Sequence, residues 1–416
     1  MRSPLKLLLI TGSLAAASLT ASGPVPLTAA DAATQRGSRA RPVRVALAGA
    51  SLVLAVAAGL QAAPALAAAS GTWTATGSMS TTGLYDTATR LPGGQVLVAG
   101  GLSATTELYN PATGTFTATG SMANAQPQAT ATLLPGGQVL VAGGGTATAE
   151  LYNPATGTFT ATGSMTAGRS QATATLLPNG QVLASGGSGT TGNALASAEL
   201  YNPATGKWTA TGSMTTARID PTATLLPDGQ VLVAGGKTTV IGPALASAEL
   251  YNPATGKWTA TGTMSAARAG HTATLLGNGE VLVVGGIDAA STFTLVSELY
   301  NPATGTWSNS SNGLIECAPQ YWCRYNSAAV LLSSGEVLVA GGLQGQVASY
   351  GSGSTATAML YNPATNSWTS TGNMTTPREE QTATLLANGQ VLVTGGNNYN
   401  HHHTGGVLAS AELYTP

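Results

Sequence analysis

Charged and aromatic side chains are scarce in this sequence. Only 7% of the 416 residues are charged and 5% are aromatic, and the formal net charge at pH 7 is −1. Such a chain offers no basic surface for a phosphate backbone, which excludes nucleic acid as the default partner. The sequence also shows no helical periodicity, no Ser-His-Asp order, no paired catalytic carboxylates and no phosphate-binding loop. These absences disfavour a helical fold and the commonest hydrolytic and nucleotide-dependent enzymes.

The basic residues concentrate near the N-terminus. Residues 1–67 hold six of the 15 basic residues and one of the 16 acidic residues, so the remainder carries a formal charge of −6. Arg39, Arg41 and Arg44 precede an uncharged apolar run at 45–60, and Ala-Leu-Ala follows at 65–67. This order is typical of a signal peptide cleaved after Ala67. We therefore expect a leader at 1–67 and a secreted or cell-surface protein, with membrane attachment only if the leader is not cleaved.

The remainder of the chain is a repeat. Each copy has an apolar run that ends in Gly-Gly, then a Tyr-Asn-Pro turn, then an aromatic residue seven positions after the Tyr. Seven Gly pairs occur, at 100/101, 143/144, 186/187, 235/236, 285/286, 341/342 and 395/396. Alternating turn signals and short β-branched runs predict four antiparallel strands per copy. A single sheet of this kind has two apolar faces and must stack on its neighbours.

The two ends of the repeat complement each other. The chain enters the repeat on a fourth strand around Trp73 and ends on a third strand at Tyr414. An open solenoid would be expected to have atypical capping units, whereas two complementary half-blades predict a closed ring. We therefore predict an all-β fold over 68–416, a seven-bladed propeller closed by the N-terminal strand around Trp73.

The Gly-Gly, Tyr and Trp landmarks, together with Arg-x-x-His at 268–271, resemble the kelch repeat over residues 72–416. Kelch propellers include binding modules, multidomain adaptors and the copper radical enzyme galactose oxidase, so the resemblance does not choose a function. The copper enzyme requires a cysteine linked to a tyrosine, a second tyrosine and two histidines. This sequence has no residues that match that set position by position.

One face of the predicted ring varies between copies. The hairpin between the first and second strands and the turn between the third and fourth hardly change. The loop between the second and third strands, by contrast, has 7, 7, 13, 14, 13, 18 and 17 residues along the chain. We call the side on which these loops emerge the variable face. Variation on one side of a rigid scaffold indicates a binding surface, although low-complexity loops are also tolerated as drift.

An arginine recurs at the entry to the first strand of five consecutive copies. These residues are Arg169, Arg218, Arg268, Arg324 and Arg378, and Gly83 and Gln126 take the position in the first two copies. Five guanidiniums near the channel mouth would suit an anionic ligand, with His271 beside them. A glutamate also recurs two positions before the Tyr in every copy but the sixth, which has Met359. An Arg–Glu pair would instead make the arginines part of the scaffold.

Two further groups fall in the long loops. His401, His402 and His403 are weak metal candidates, because three consecutive imidazoles in an extended loop cannot all face one ion. Cys317 and Cys323 predict a local disulfide in an exported protein. That disulfide would stiffen a loop carrying Tyr321 and Trp322, which are candidates for sugar or protein contact unless Trp322 plugs the blade junction.

The sequence as a whole favours a monomeric binding module without a cofactor, which takes a protein or glycan ligand on the variable face. The alternatives are a galactose oxidase-like or other carbohydrate-active enzyme on the same propeller, and a structural spacer at the cell surface.

Overall fold

The computed structural model describes residues 71–310 except 289, 291 and 295, and residues 324–344, 353–399 and 405–416. The described residues form strands, turns and loops, without any helix that could cross a membrane. The predicted leader at 1–67 lies outside them. The all-β prediction is confirmed.

Seven four-stranded antiparallel sheets make up the seven blades. The first strand of the described residues, β1 (Thr72–Ala75), belongs to the last of them. Blade one has β2 (Asp86–Arg90), β3 (Val96–Gly100), β4 (Glu107–Asn110) and β5 (Thr115–Ala118). Blade two has β6 (Ala129–Leu133), β7 (Val139–Gly143), β8 (Ala149–Asn153) and β9 (Thr158–Ala161). Blade three has β10 (Thr173–Leu176), β11 (Val182–Ser185), β12 (Ala198–Asn202) and β13 (Lys207–Ala210).

The later blades repeat this order. Blade four has β14 (Thr222–Leu225), β15 (Val231–Ala234), β16 (Ala248–Asn252) and β17 (Lys257–Ala260). Blade five has β18 (Thr272–Leu275), β19 (Val281–Val284), β20 (Glu298–Asn301) and β21 (Thr306–Asn309). Blade six has β22 (Ala328–Leu331) and β23 (Val337–Ala340), then, after a two-stranded ribbon of β24 (Leu343–Gln344) and β25 (Gly353–Ser354), β26 (Ala358–Asn362) and β27 (Ser367–Ser370). Blade seven has β28 (Thr382–Leu385) and β29 (Val391–Thr394), then a ribbon of β30 (Asn397–Tyr399) and β31 (Gly405–Val407), then β32 (Ala411–Thr415).

The last blade closes the ring as predicted. Strand β1 pairs with β32, so that Trp73 lies opposite Tyr414, and β32 pairs with β29. The first strands of successive blades lie side by side around the channel, and β28 contacts β2. Strands from the two ends of the repeat therefore complete one sheet.

The apolar core lies between neighbouring blades. The second strands are buried along their whole length, as at Val231, Leu232 and Val233. Leu232 of blade four lies in one apolar cluster with Val281 and Val283 of blade five. This arrangement explains why the second-strand runs are apolar on both faces, because each run contacts a neighbouring blade on either side.

A tyrosine hydroxyl joins each of six blade junctions. Tyr251 is fully buried, lies 5.0 Å from the Trp258 ring, and shares a hydrogen bond of 2.9 Å with the Thr211 hydroxyl of the preceding blade. Tyr361 differs, because its hydroxyl donates to Asn366 within its own blade. The tyrosine and the aromatic residue that follows it are therefore parts of the scaffold.

Removing one of these hydroxyls is expected to weaken the ring slightly. Tyr251→Phe keeps the ring packing but removes the 2.9 Å hydrogen bond between the Tyr251 and Thr211 hydroxyls, which costs about 1 kcal/mol of unfolding free energy. Urea denaturation followed by tryptophan fluorescence measures the loss. Tyr399→Phe is the control, because Tyr399 is 42% exposed. Equal midpoints for the two variants would contradict the junction role of Tyr251.

Candidate binding site at the channel mouth

The five recurring arginines are buried beneath the variable face, and each is only 0–1% exposed. Arg268 Nη2 donates to Glu298 Oε1 at 2.6 Å, and its Nη1 donates to the carbonyl oxygens of Gly285 and Val296, both at 2.9 Å. The same pairing joins Arg169 to Glu199, Arg218 to Glu249 and Arg378 to Glu412. The guanidiniums therefore point toward glutamates and carbonyls of their own blades.

Arg324 keeps this position in the blade that has Met359 in place of the glutamate. Its Nη1 donates to the carbonyls of Gly341 and Thr357, and its Nη2 donates to the Thr357 hydroxyl at 2.6 Å. The placement of all five arginines matches the scaffold alternative. Direct contact of these guanidiniums with an anionic ligand stays a prediction, and their burial weighs against it.

His271 is buried as well, with 7% exposed, and it lines the cavity at the channel mouth. Its Nε2 shares a hydrogen bond of 2.9 Å with the Thr222 hydroxyl, and its Nδ1 has no partner. Burial, followed by the charge of Arg268, lowers the pKa of His271 to about 3. The imidazole is therefore neutral at physiological pH, and its Nδ1 is buried.

Several sequence candidates lie outside the described residues. They are Cys317, Tyr321, Trp322, Cys323, His401, His402 and His403. The disulfide between Cys317 and Cys323, the aromatic contact at Tyr321 and Trp322, and the metal-binding role of the histidines stay predictions. Among the residues that the structure does describe, no three His, Cys, Asp or Glu side chains are grouped so as to hold a metal.

A set of residues that the sequence did not reveal surrounds the channel mouth. Each blade places one residue, two positions after the arginine position, in the left-handed backbone conformation with φ between +51° and +61°. We call this set the mouth ring, and it consists of Tyr85, Gln128, Gln171, Asp220, Gly270, Asn326 and Glu380. Its signal in the sequence is only the constant two-residue offset from the arginine position.

Backbone hydrogen bonds connect the mouth ring from blade to blade. Asp220 N–H donates to the carbonyl of Gln171 at 3.0 Å, and Asn326 N–H donates to that of Gly270 at 3.0 Å. Glu380 N–H donates to the Asn326 carbonyl at 3.1 Å, and Gly270 N–H donates to the Asp220 carboxylate. These bonds hold the left-handed conformations in place.

The side chains of the mouth ring come at a conformational cost. A left-handed φ costs a non-glycine residue about 1–2 kcal/mol, and Gln, Tyr and Glu lack the compensation available to Asn and Asp. Glycine would avoid that cost, yet glycine occurs at only one of the seven positions, Gly270. Six positions instead keep a side chain with hydrogen-bonding groups, which indicates that these side chains are used.

The mouth ring lines a cavity of about 300 Å³ that contains the carboxyl groups of Asp220 and Glu380. Burial raises the pKa of Asp220 to about 6, against the opposing effect of Lys237, and burial also raises the pKa of Glu380. Glu380 accepts a hydrogen bond of 2.8 Å from the Asn326 amide and another from the Tyr85 hydroxyl. Burial, followed by the charge of Glu380, raises the pKa of Tyr85 to about 12, so the phenol stays protonated.

Two atoms in the cavity wall are buried without a partner. Gln381 is 7% exposed, and while its amide nitrogen donates to the Ala340 carbonyl at 2.8 Å, its Oε1 accepts nothing. The second atom is Nδ1 of His271. Buried polar atoms are normally satisfied, so these two atoms are exceptions in the wall of the cavity.

The exposed large apolar side chains of the described chain all lie on the variable face. They are Leu102, Val240, Ile241 and Tyr399, with exposed fractions of 58%, 53%, 98% and 42%. Each belongs to a connection between the second and third strands of its blade. The channel mouth thus combines a polar cavity with apolar side chains on the surrounding loops.

Comparisons with known proteins agree with this architecture. A family model described as the Attractin/LZTR1 beta-propeller matches residues 184–415. No curated protein matches the chain. A solved structure of a fungal alcohol oxidase of the AA5 family, in complex with copper, matches with a TM-score of 0.67 and 19% identity, over 84% of this chain and 77% of that one. At that identity the likeness shows the shared fold alone.

Proposed function

The chain belongs to the Attractin/LZTR1 β-propeller family, and from this premise we propose that it is an exported, non-catalytic binding module. The module holds a protein or glycan ligand over the mouth of its central channel. The mouth ring carries this proposal, because six of its seven positions retain a polar side chain where glycine would relieve the backbone. Export rests on the signal-peptide pattern of the leader.

The chemistry of the cavity suits a ligand rich in hydrogen-bond donors. Asp220 and Glu380 present acceptors, and Gln128 and Gln171 add amides that both donate and accept. A volume of about 300 Å³ lies at the lower end of small-ligand sites, which span about 300–1,000 Å³. A sugar unit or a polar side chain fits such a site, with the remainder of the ligand spread over the loops.

The apolar side chains on the loops favour a ligand larger than the cavity. Ile241 is 98% exposed beside Val240, and an exposed apolar side chain of this kind can anchor a partner surface. A ligand that fills the cavity and also covers these loops would gain both hydrogen bonds and apolar contact. This combination supports a macromolecular ligand, either a glycan or a protein.

Glycine substitutions in the mouth ring test the proposal without disturbing the fold. In Gln128→Gly/Gln171→Gly, the relief of left-handed strain offsets the entropy cost of glycine, so the unfolding free energy should stay within about 1 kcal/mol of the parent value. Binding to a printed array of glycans and glycoproteins should fall for the ligands that the parent protein recognises. Gln181→Ala/Gln230→Ala, on the opposite face, is the control.

A folded Gln128→Gly/Gln171→Gly variant that keeps the binding profile of the parent would contradict the mouth ring as the binding site. A parent protein that binds nothing on the array, and no protein of an extracellular extract, would contradict the binding module itself.

A copper oxidase needs a different set of residues. The described channel mouth contains one imidazole, His271, together with the phenols of Tyr85 and Tyr325. This set does not fit the two histidines and the cysteine-linked tyrosine that the resemblance to galactose oxidase implies. Copper reconstitution followed by a hydrogen peroxide assay with primary alcohols and sugars tests the point, and turnover with stoichiometric copper would overturn the non-catalytic proposal.

A further inference from the structure

Blade one departs from the other blades at the arginine position. Five blades place a guanidinium there, and blade two places Gln126, whose amide donates to Glu150 at 3.1 Å. Blade one has Gly83 instead. Among the six described blades that have the glutamate, it is therefore the one in which no side chain at this position donates to that glutamate.

The glutamate of blade one is nevertheless retained and buried. Glu107 is 5% exposed, and its carboxylate accepts hydrogen bonds of 2.8 Å from both the backbone N–H and the hydroxyl of Ser80. Neither donor carries a charge. A buried carboxylate without a positive partner is costly, and in four other blades a guanidinium offsets that cost.

A second carboxylate faces the same place. Asp86 follows Gly83 by three residues, and a Cβ added to Gly83 would lie 2.0 Å from Asp86 Oδ2. No described residue donates a hydrogen bond to the Asp86 carboxylate, which shares a small cavity with Glu107. Burial, followed by the charge of Glu107, raises the pKa of Asp86 to about 7. This small cavity thus holds two carboxyl groups and no basic side chain, because Arg90, the basic residue of blade one, lies at the other end of β2.

The equivalent place in five other blades holds a guanidinium. In blade three, Arg169 contacts Glu199, the carbonyl of Gly186, and the carbonyl and hydroxyl of Ser197. Glu107, Gly100 and Thr105 hold the corresponding positions in blade one. The same type of acceptor set binds a guanidinium in three further blades. This observation does not depend on the carboxylates of blade one.

The size and chemistry of the cavity select the kind of cation. Its volume of about 10 Å³ admits one water-sized sphere and excludes a guanidinium. Oxygen atoms are the ligands it offers, from Asp86, Glu107, Gly100, Ser103 and Thr105. Oxygen sets with two carboxylates favour hard divalent ions, and Ca²⁺ tolerates irregular geometry better than Mg²⁺ does. Thr81 and Thr105 lie exposed at the cavity edge and leave room for water on the ion.

We propose that blade one binds one calcium ion between Asp86 and Glu107, where five other blades use a guanidinium. The ion lies at the seam of the ring, because Met79 N–H and Gly83 N–H donate to the carbonyls of Ala409 and Leu408 of blade seven. Gly396 N–H of blade seven donates in turn to the Gly83 carbonyl. Calcium bound there stabilises the closure of the propeller.

Calorimetric titration of the chelator-treated full-length protein with CaCl₂ tests the proposal. We expect one ion per chain and a melting temperature about 2–4 °C higher in calcium than in chelator. Asp86→Asn keeps the side-chain shape but removes one charge, and should weaken calcium binding about tenfold or more. Asp228→Asn, in an exposed hairpin on the opposite face, is the matched control and should bind as the parent does.

A second variant rebuilds the arrangement of blade three. Gly83→Arg/Asp86→Ala supplies a guanidinium to Glu107 and places alanine where blade three has Ala172. It should bind no calcium at this site and should keep its melting temperature in chelator. Calcium binding of equal strength in the parent, Asp86→Asn and Asp228→Asn proteins would overturn the proposal, as would a parent protein that binds no calcium. If the double variant does not fold, Asp86→Asn decides the outcome.

Discussion

Replacing Arg268 by alanine is expected to lower the free energy of unfolding by about 3–5 kcal/mol, because it leaves the Glu298 carboxylate buried without its counter-charge. Glu298 is 1% exposed and lies 2.6 Å from the guanidinium. The carbonyls of Gly285 and Val296 lose a donor as well. Urea denaturation followed by tryptophan fluorescence measures the effect.

Two controls separate the buried charge from the loss of an arginine as such. Arg90 is exposed and makes one long contact, 3.5 Å from Nη1 to the carbonyl of Leu385, so Arg90→Ala should change stability by no more than about 0.5 kcal/mol. Arg268→Met/Glu298→Leu removes both charges and should recover much of the loss. A stable Arg268→Ala protein that loses only ligand binding would show instead that the guanidinium is a ligand contact.

Truncation after Ser410 is expected to abolish the cooperative unfolding transition. It removes β32, which joins β1 to β29, together with the fully buried Tyr414 and the partner of Arg378. Losing a buried aromatic side chain and leaving a buried arginine unpaired each cost about 3–5 kcal/mol. Together these losses are comparable with the total stability of a typical domain, about 5–15 kcal/mol.

Thermal denaturation and limited proteolysis measure the effect of the truncation. Deletion of Pro416 alone is the control, because this residue is exposed and makes no strand pair, and it should leave the transition unchanged. A chain truncated after Ser410 that melts like the parent would show that the ring does not depend on its closing strand.

The fold followed from the sequence because its determinants are local and repeated. The Gly-Gly pairs, the Tyr-Asn-Pro turn and the aromatic residue after it recur at short, regular spacings, and each specifies a strand end or a turn by its own backbone preference. The offset between Trp73 and Tyr414 then required that the two ends complete one sheet. The first feature depends on neighbouring residues and the second on a count of repeat units, so both are visible in the sequence alone.

The sites depend on residues that are distant along the chain. Arg268 and Glu298 are 30 residues apart, and the sequence allowed the guanidinium to face either the glutamate or the channel. The mouth ring is hidden for a different reason. Gln, Tyr and Glu rarely adopt a positive φ, so the residue types at these positions do not predict the left-handed turn that brings their side chains to the channel.

The sequence by itself therefore determined that this protein is a closed seven-bladed ring with one variable face, because strand and turn preferences are properties of short segments. The tertiary structure decided that the arginines lie buried on glutamates, that the mouth ring surrounds the channel, and that Asp86 faces Glu107 where Gly83 replaces an arginine. Side-chain direction, burial and charge pairing depend on which blades lie next to each other, and these neighbours are set only when the ring closes.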